Sequence, residues 1–342
     1  MEEIPSLAVV CDIEYGAWRA TVLKTALELD IFTVVSGSGP FLDSIALASG
    51  CSPKGLEVLL NALCPLGLLK RNENGYELTP VSDAYLVRGK ETFYGDWCLT
   101  AQLAWPIRAR SADAVRTGEA LVDDYSDQSK QDDWVADFGP AMMNWPARLE
   151  YFTRLWKSVG VLPLPSGEQR ILELACGPGL KSMALLRGNP EARVTLNDFP
   201  GILRLTRKIA ADAGLISQVE PLPGNMEEVD LGESRYDLVI CGSMLYYFSG
   251  RRLAEMLSRI SKSLRQGGAL IVQEPIADEW KCESEAALMA AFQLLLFAPG
   301  SEVRSFEEYR SALQESGFRQ VDLIHEDMIR ARKGGMFGGG RQ

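Results

Sequence analysis

A glycine-rich turn between two apolar segments carries the clearest chemical signal in the sequence. Residues 170–186 read "RILELACGPGLKSMALL", in which an apolar run ends at glycines and leucines at helical spacing follow. This order predicts a strand, a tight turn and a helix. Turns between a strand and a helix bind phosphates, dinucleotides or other nucleosides, so the rest of the chain must distinguish among these ligands.

Two of the three ligands are disfavoured by the turn itself. A P-loop has a glycine directly before its Lys and Ser, whereas this chain has Leu180 at that position. A dinucleotide fingerprint needs GxGxxG, and residues 177–182 lack the third glycine. A nucleoside without a pyrophosphate remains. Glu173 ends the first strand and Asp198 the next, and a carboxylate can accept hydrogen bonds from both hydroxyls of a ribose.

The elements around this turn predict a parallel sheet. From residue 170 onward, short apolar strands alternate with amphipathic helices, and the predicted strands are "RILELA", "RVTLNDF" (193–199), "YDLVICG" (236–242) and "GALIVQEP" (268–275). Such alternation is typical of a doubly wound, mostly parallel α/β sheet with helices on both faces. Ligands of these sheets bind at the carboxyl ends of the strands, where the turn and Asp198 are expected.

The first hundred residues predict a different, mainly helical domain. Ser52-Pro53 opens one helix, and "LLKRNENGYELTP" contains Asn74-Gly75, which favours a type I′ turn and a β-hairpin. Helices followed by a hairpin indicate a winged helix. This segment has 7 Lys and Arg against 13 Asp and Glu, the wrong balance for a DNA-binding surface. We therefore expect a domain that packs against another subunit.

Composition excludes several further classes of protein. The 342 residues carry a net charge of −11 and have a pI near 4.9, which disfavours nucleic acids and anionic membranes as partners. No apolar run approaches the roughly 20 residues needed to cross a bilayer. The seven cysteines form no CxxC pair, so neither a disulfide framework nor a zinc site is expected. We predict a cytoplasmic protein with free thiols and no metal.

Composition shifts also divide the chain. We predict a winged-helix-like dimerisation domain over residues 1–100 and Trp- and Met-rich linking helices that contribute to a substrate pocket over 101–160. The Pro- and Gly-containing segment "VGVLPLPSGEQR" precedes the ligand-binding domain, which we place at 161–335. The glycine-rich residues 336–342 are predicted to form a flexible tail.

Four segments together resemble a known family. "ELACGPG", "NDFP" (197–200), "PGNM" (223–226) and the block around "LYYF" (245–248) are similar to the motifs of class I S-adenosylmethionine-dependent methyltransferases. With the helical N-terminal domain, nearly the whole chain resembles the dimeric small-molecule O-methyltransferases of the acetylserotonin, caffeate and bacterial polyketide type. The resemblance implies a Rossmann-like domain, S-adenosylmethionine as cofactor, S-adenosylhomocysteine as product and a homodimer.

The same resemblance assigns the cofactor site residue by residue. It implies that Asp198 binds the ribose, that Asn225 and Met226 contact the adenine, and that the methionine half is lined by Glu173, Ala175, Gly177 and Gly179. Phe199, Cys241 and Gly242 complete the predicted cofactor-binding set. Ala175 stands where the family often has Gly, and Asn225 replaces an Asp, which keeps an acceptor but adds a donor.

The general base of the family is missing. Its O-methylating members use a His in an LHDW-like segment, where this chain has Tyr246 followed by Tyr247. The one histidine, His325, lies in a predicted late strand and is interpreted as structural. Glu274 matches a family carboxylate that orients the base, so Tyr246 and Glu274 are the predicted catalytic residues. Met142, Trp145 and Tyr246 are the predicted substrate contacts.

An unperturbed tyrosine is a poor base at pH 7, so the departure bears on the reaction. We predict methyl transfer to carbon, nitrogen or an acidic oxygen of a small aromatic or polycyclic metabolite, driven mainly by proximity. Tyrosine at this position also resembles the bacteriochlorophyllide C-20 methyltransferase branch. The alternative is a homologue that binds S-adenosylmethionine but catalyses a hydroxylation, a decarboxylation or a pericyclic step.

Overall fold

The structure is a computed structural model that describes residues 6–102, 104–122 and 131–334. The chain divides into two compact units between Ala104 and Trp105. Within the described ranges, no helix combines the length and the apolar character needed to cross a bilayer. The predicted tail, residues 336–342, lies outside the described residues.

The first unit is mainly helical and has a core of aliphatic side chains. Its Ser52 hydroxyl accepts a hydrogen bond from the Gly55 N–H at 3.2 Å, so the predicted helix start at Ser52-Pro53 is confirmed. Its elements are α1 Ala8–Glu28, α2 Ile31–Ser38, α3 Leu42–Ser49, α4 Pro53–Leu63, β1 Leu69–Asn72, β2 Gly75–Leu78, α5 Pro80–Leu86 and α6 Gly95–Gln102.

The predicted hairpin is present, but its turn differs from the prediction. Asn72 pairs with Gly75, so the two connecting residues are Glu73 and Asn74, and neither has the positive φ of a type I′ turn. The prediction of a type I′ turn at Asn74-Gly75 was therefore wrong. Gly75 instead has φ +111°, and a Cβ there would lie 2.2 Å from the carbonyl oxygen of Pro40. A long-range contact, rather than the turn, requires this glycine.

The second unit contains a seven-stranded sheet covered by helices. Its helices are α7 Trp105–Arg108, α8 Ser111–Thr117, α9 Gln131–Met143, α10 Pro146–Ser158, α11 Leu180–Leu186, α12 Pro200–Asp212, α13 Gly250–Ser263, α14 Glu285–Phe297 and α15 Phe306–Glu315. Its strands are β3 Arg170–Leu174, β4 Arg193–Asp198, β5 Val219–Pro223, β6 Tyr236–Gly242, β7 Leu264–Gln273, β8 Phe318–His325 and β9 Met328–Lys333.

The strand order is β5-β4-β3-β6-β7-β9-β8, and only β9 runs antiparallel to its neighbours. The predicted mostly parallel, doubly wound sheet is confirmed. The chain moves outward from β3 through β4 to β5 and then returns to β6 on the other side of β3. Ligands of open parallel sheets bind at such a reversal, beyond the carboxyl ends of the strands.

Alternating residues of the sheet form two cores, one on each face. The first core cluster joins Ile171, Ile240 and Ile271 to helices α10, α11 and α12. The second core cluster joins Leu172, Val239 and Val272 to helices α13 and α15. Because both faces are covered, the sheet reaches solvent mainly at the ends of its strands, and polar side chains that converge there are available to a ligand.

Candidate functional site

The glycine turn adopts a backbone that few residues tolerate. Ala175, Gly177 and Gly179 have φ of 46°, 51° and 68°. For Ala175 the left-handed region costs about 1–2 kcal/mol, which explains why a glycine would suit this position. A Cβ on Gly179 would lie 3.0 Å from Leu196 Cδ1, whereas one on Gly177 would meet no atom within 4 Å. Gly179 is thus required by packing, and the space beside Gly177 is open to a ligand.

Asp198, at the end of β4, connects this strand to the glycine turn that follows β3. Its Oδ2 accepts a hydrogen bond from the Gly177 N–H and its Oδ1 accepts one from the Phe199 N–H, both at 2.8 Å. Burial raises the pKa of the Asp198 carboxyl to about 6, against the effect of these two donors. Each carboxylate oxygen keeps a further lone pair, so both can accept another hydrogen bond.

Glu173 is buried and is held by Ser182, which was not among the predicted site residues. Its Oε2 accepts hydrogen bonds from the Ser182 N–H, at 3.1 Å, and from the Ser182 hydroxyl. Burial raises the pKa of the Glu173 carboxyl, and the charge of Lys181 opposes that rise. Ser182 occupies the third-glycine position of the GxGxxG pattern, so the missing glycine was itself a signal that this residue has another role.

The remaining predicted cofactor residues surround the same edge of the sheet. The Gly224 N–H donates to the Asp198 carbonyl at 3.0 Å, which places Asn225 beside the end of β4. Asn225 Oδ1 accepts the Glu227 N–H at 3.0 Å. Met226 and Cys241 have buried side chains in the second core cluster. Gly242 ends β6, next to the end of β3.

The segment that replaces the LHDW-like motif is a short loop, residues 243–248, which we call the tyrosine loop. Glu274 Oε1 accepts the Met244 N–H at 2.8 Å and also the Leu245 N–H, while its Oε2 accepts the Tyr309 hydroxyl. Burial raises the pKa of the Glu274 carboxyl to about 7. Both oxygens of Glu274 therefore hold the loop backbone and Tyr309 in place.

Arg304 holds the same loop from its carbonyl side. Its guanidinium, with a side chain only 5% exposed, donates to the Phe248 carbonyl at 2.5 Å and to the Leu245 carbonyl at 3.4 Å. The Glu302 N–H donates to the Tyr246 carbonyl at 2.7 Å. Arg304 was not among the predicted site residues, because a buried arginine that donates to backbone carbonyls leaves no local pattern in the sequence.

The Tyr246 side chain is partly buried and packs against other side chains. Its ring is 4.7 Å from that of Tyr247, measured between centroids, and it packs against a small cluster that includes Ala287 and Leu294 of α14. Burial, followed by the neighbouring Tyr247 phenol and Glu274, raises the pKa of the Tyr246 phenol. The phenol is therefore neutral at pH 7.

The other predicted substrate residues lie elsewhere in the second unit. Met142 is buried in α9, and Trp145 precedes α10 and packs on the first core cluster. His325 Nδ1 lies 2.5 Å from Asp327 Oδ1 at the β8–β9 hairpin. Over the described residues, no three His, Cys, Asp or Glu side chains converge on a position that could hold a metal ion.

Two protein-family models match the chain. The O-methyltransferase dimerisation domain matches residues 11–88, and the methyltransferase domain matches residues 171–268. The chain is similar to bovine acetylserotonin O-methyltransferase, with 28% identity over 90% of both chains. It is also similar to 3-hydroxy-5-methyl-1-naphthoate 3-O-methyltransferase of Streptomyces sahachiroi, with 23% identity over 92% of this chain and 90% of that protein.

The chain is an S-adenosylmethionine-dependent methyltransferase with an O-methyltransferase dimerisation domain. The L-tyrosine C(3)-methyltransferase of Streptomyces lavendulae is a further relative, with 26% identity over 90% of this chain and 85% of that protein. In fold, the methyltransferase resembles human N-acetylserotonin methyltransferase in complex with S-adenosylmethionine, with a TM-score of 0.78, 21% identity and coverage of 98% and 99%. The predicted family, fold class and cofactor are confirmed.

The pKa of Glu274 leads to a testable effect on stability. The folded chain holds this proton more tightly than the unfolded chain, in which the pKa is near 4.5. The free energy of unfolding should therefore fall as the pH rises from about 4.5 to about 7, by up to about 1.4 kcal/mol per pH unit. Glu274→Gln removes this titration and keeps an acceptor for the loop N–H groups.

Urea unfolding at pH 5, 6 and 7.5 measures this effect. Glu274→Gln should lose less stability than the unmodified chain between pH 5 and pH 7.5. Glu285→Gln, at an exposed position of α14, is the matched control and should keep the original pH dependence. Equal slopes for all three proteins would contradict the assignment of this titration to Glu274.

Proposed function

We propose that this methyltransferase transfers a methyl group from S-adenosylmethionine to a small aromatic or polycyclic metabolite without a histidine base. The observation that carries the proposal is the bridge between Asp198 and the Gly177 N–H at 2.8 Å. It joins the glycine turn to a half-buried carboxylate at the point where the strand order reverses. This edge can bind a sugar with two hydroxyls.

The residues at this edge fit the cofactor chemically. Asp198 can accept from two ribose hydroxyls, and the open space at Gly177 leaves room beside the turn. Glu173 would face the ammonium group of the amino-acid end, and Asn225 and Met226 the adenine, with Phe199, Cys241 and Gly242 completing the site. When bound, S-adenosylmethionine supplies an electrophilic methyl group on a sulfonium. The chain contributes by holding that group and the acceptor in line.

The nature of the acceptor follows from the tyrosine loop. Because Tyr246 is neutral, we propose that it contacts the substrate as an uncharged phenol and that Glu274 is a positioning residue. Met142 and Trp145 remain the other proposed substrate contacts. A neutral phenol substrate profits from a base by about 10²–10⁴-fold, so a carbon, a nitrogen or an already acidic oxygen is the favoured acceptor. Relatives named for O-methylation of a naphthoate and for C-methylation of tyrosine support an aromatic substrate.

We also propose that the first unit forms a homodimer. The N-terminal part of α1 exposes large apolar side chains, with Ile13 73% and Trp18 61% exposed, within the segment that matches the dimerisation domain. Exposed apolar surface of this kind marks a protein interface. The cytosolic location stays a prediction, and the seven cysteines, all unpaired, are consistent with it.

The cofactor site is tested by calorimetric titration with S-adenosylhomocysteine. Asp198→Ala should weaken binding at least 10-fold, because hydrogen bonds to a charged group contribute about 1.5–3 kcal/mol each. Asp237→Ala, at the opposite edge of the same sheet, should leave the Kd within about twofold. For the unmodified chain, the affinity should fall as the pH drops below about 6, because Asp198 becomes protonated there. Equal effects of both variants would refute the site.

Mass spectrometry after incubation with S-adenosylmethionine and aromatic acceptors tests the reaction. Methylated product together with S-adenosylhomocysteine supports the proposal. Turnover of the acceptor without release of S-adenosylhomocysteine would favour the alternative, a hydroxylation, decarboxylation or pericyclic step.

Substitution of Tyr246 separates contact from proton transfer. Tyr246→Phe should change kcat by less than about fivefold and leave the pH–rate profile unaltered, because the phenol does not ionise in the working range. Tyr247→Phe is the matched control within the same loop. The disappearance of a limb of the pH–rate profile in Tyr246→Phe alone would show that Tyr246 does transfer a proton.

The oligomeric state is measured by light scattering after gel filtration. The unmodified chain should have twice the mass of one 37.7 kDa chain, and the double variant Ile13→Glu, Trp18→Glu should shift to the monomer. Val115→Glu, exposed on α8 of the second unit, should remain dimeric. A double variant that stays dimeric would place the contact elsewhere, and a monomeric unmodified chain would refute the dimer.

A further inference from the structure

The Lys181 side chain fills the space beside Gly242, at the edge of the sheet where the cofactor is proposed to bind. Lys181 lies in the first turn of α11, directly after the glycine turn. Its Nζ is 2.6 Å, and its Cε 2.8 Å, from the position that a Cβ on Gly242 would have. Because Gly242 carries no side chain, the ammonium can lie against the end of β6. Neither residue by itself would indicate this arrangement.

The surroundings of this ammonium are partly apolar and contain one buried anion. Glu173 pairs with Ile240 across β3 and β6, so Gly242 lies two residues further along the neighbouring strand. Burial raises the pKa of the Glu173 carboxyl and the charge of Lys181 opposes that rise, so the two side chains lie close enough to interact. On the other side, the ring of Phe152 lies 5.8 Å from Nζ. The cation is therefore held between an aromatic ring and the strand ends.

The interaction with Glu173 does not account for the whole arrangement. Glu173 already accepts two hydrogen bonds from Ser182. Across the parts of the chain that the structure describes, no carboxylate lies within ion-pairing distance of the Lys181 ammonium. An ammonium has three N–H donors, and within the described residues this one directs none of them to a protein acceptor. It thus has donors available for an anionic ligand.

We propose that Lys181 binds the carboxylate at the amino-acid end of the cofactor. An α-amino acid carries one cation and one anion, and this edge supplies the complementary pair, Glu173 and Lys181. Gly242 is then a specificity-determining residue, because its missing side chain admits the lysine. This inference rests on the proposed function, since it concerns how the same site holds its ligand.

Two ligands that differ only at the amino-acid end test the proposal. S-adenosylhomocysteine carries the carboxylate, and 5′-methylthioadenosine lacks the whole amino-acid group. In calorimetric titrations, Lys181→Met should weaken the binding of S-adenosylhomocysteine by about 10- to 100-fold, the usual value of a hydrogen bond to a charged group. The Kd of 5′-methylthioadenosine should stay within about twofold. Lys181→Arg, which keeps the charge, should recover part of the loss.

Gly242→Ala provides an independent test that leaves the lysine in the chain. Its Cβ would displace the ammonium, so it should weaken the binding of S-adenosylhomocysteine and leave that of 5′-methylthioadenosine nearly unchanged. Lys208→Met, on the exposed face of α12, is the matched control and should alter neither Kd. Thermal unfolding of each variant without ligand establishes that the fold is retained.

The outcomes separate this inference from the proposed function. If the unmodified chain does not bind S-adenosylhomocysteine, the proposed function and this inference fail together. If it binds, but Lys181→Met weakens the binding of both ligands equally or of neither, only the role of Lys181 is overturned. The lysine would then serve to offset the charge of Glu173. A loss confined to the ligand with the carboxylate supports the proposal.

Discussion

The hydrogen bond from the Gly177 N–H to the Asp198 carboxylate is the constraint on which the proposed cofactor site depends. It joins the glycine turn, whose residues have positive φ angles, to the end of the neighbouring strand β4. The turn and the end of this strand are therefore fixed relative to each other. Asp198 also receives the Phe199 N–H, and its carbonyl receives the Gly224 N–H, which brings Asn225 to the same edge. A half-buried carboxylate that organises backbone donors in this way is costly to remove, because those donors would lose their acceptor.

A buried acid, Glu274, organises the tyrosine loop in a different way. Glu274 accepts the N–H groups of the loop, while Arg304 and the Glu302 N–H serve its carbonyls, so the backbone around Tyr246 is held from both sides. This arrangement holds the neighbouring rings of Tyr246 and Tyr247, and no histidine contributes to it. Proximity, more than acid–base catalysis, is the physical basis of the proposed reaction.

Much of the fold could be predicted because its signals are local. The alternation of apolar strands and amphipathic helices specifies a parallel sheet, and Ser52-Pro53 specifies a helix start. The hairpin turn was mispredicted for the opposite reason. Gly75 resembled a turn glycine, but the nearby Pro40 carbonyl requires it, and that contact spans 35 residues.

The turn, the two acids near the ends of β3 and β4, and the lack of a histidine in residues 243–248 could be predicted from the sequence alone, because each depends on residue type and short-range spacing. The contacts of the side chains depend on the fold. Glu274 faces backbone N–H groups, Arg304 serves the tyrosine loop, and Lys181 lies where Gly242 has no side chain. These contacts follow from strand register and helix packing, which bring together residues that are far apart in the chain.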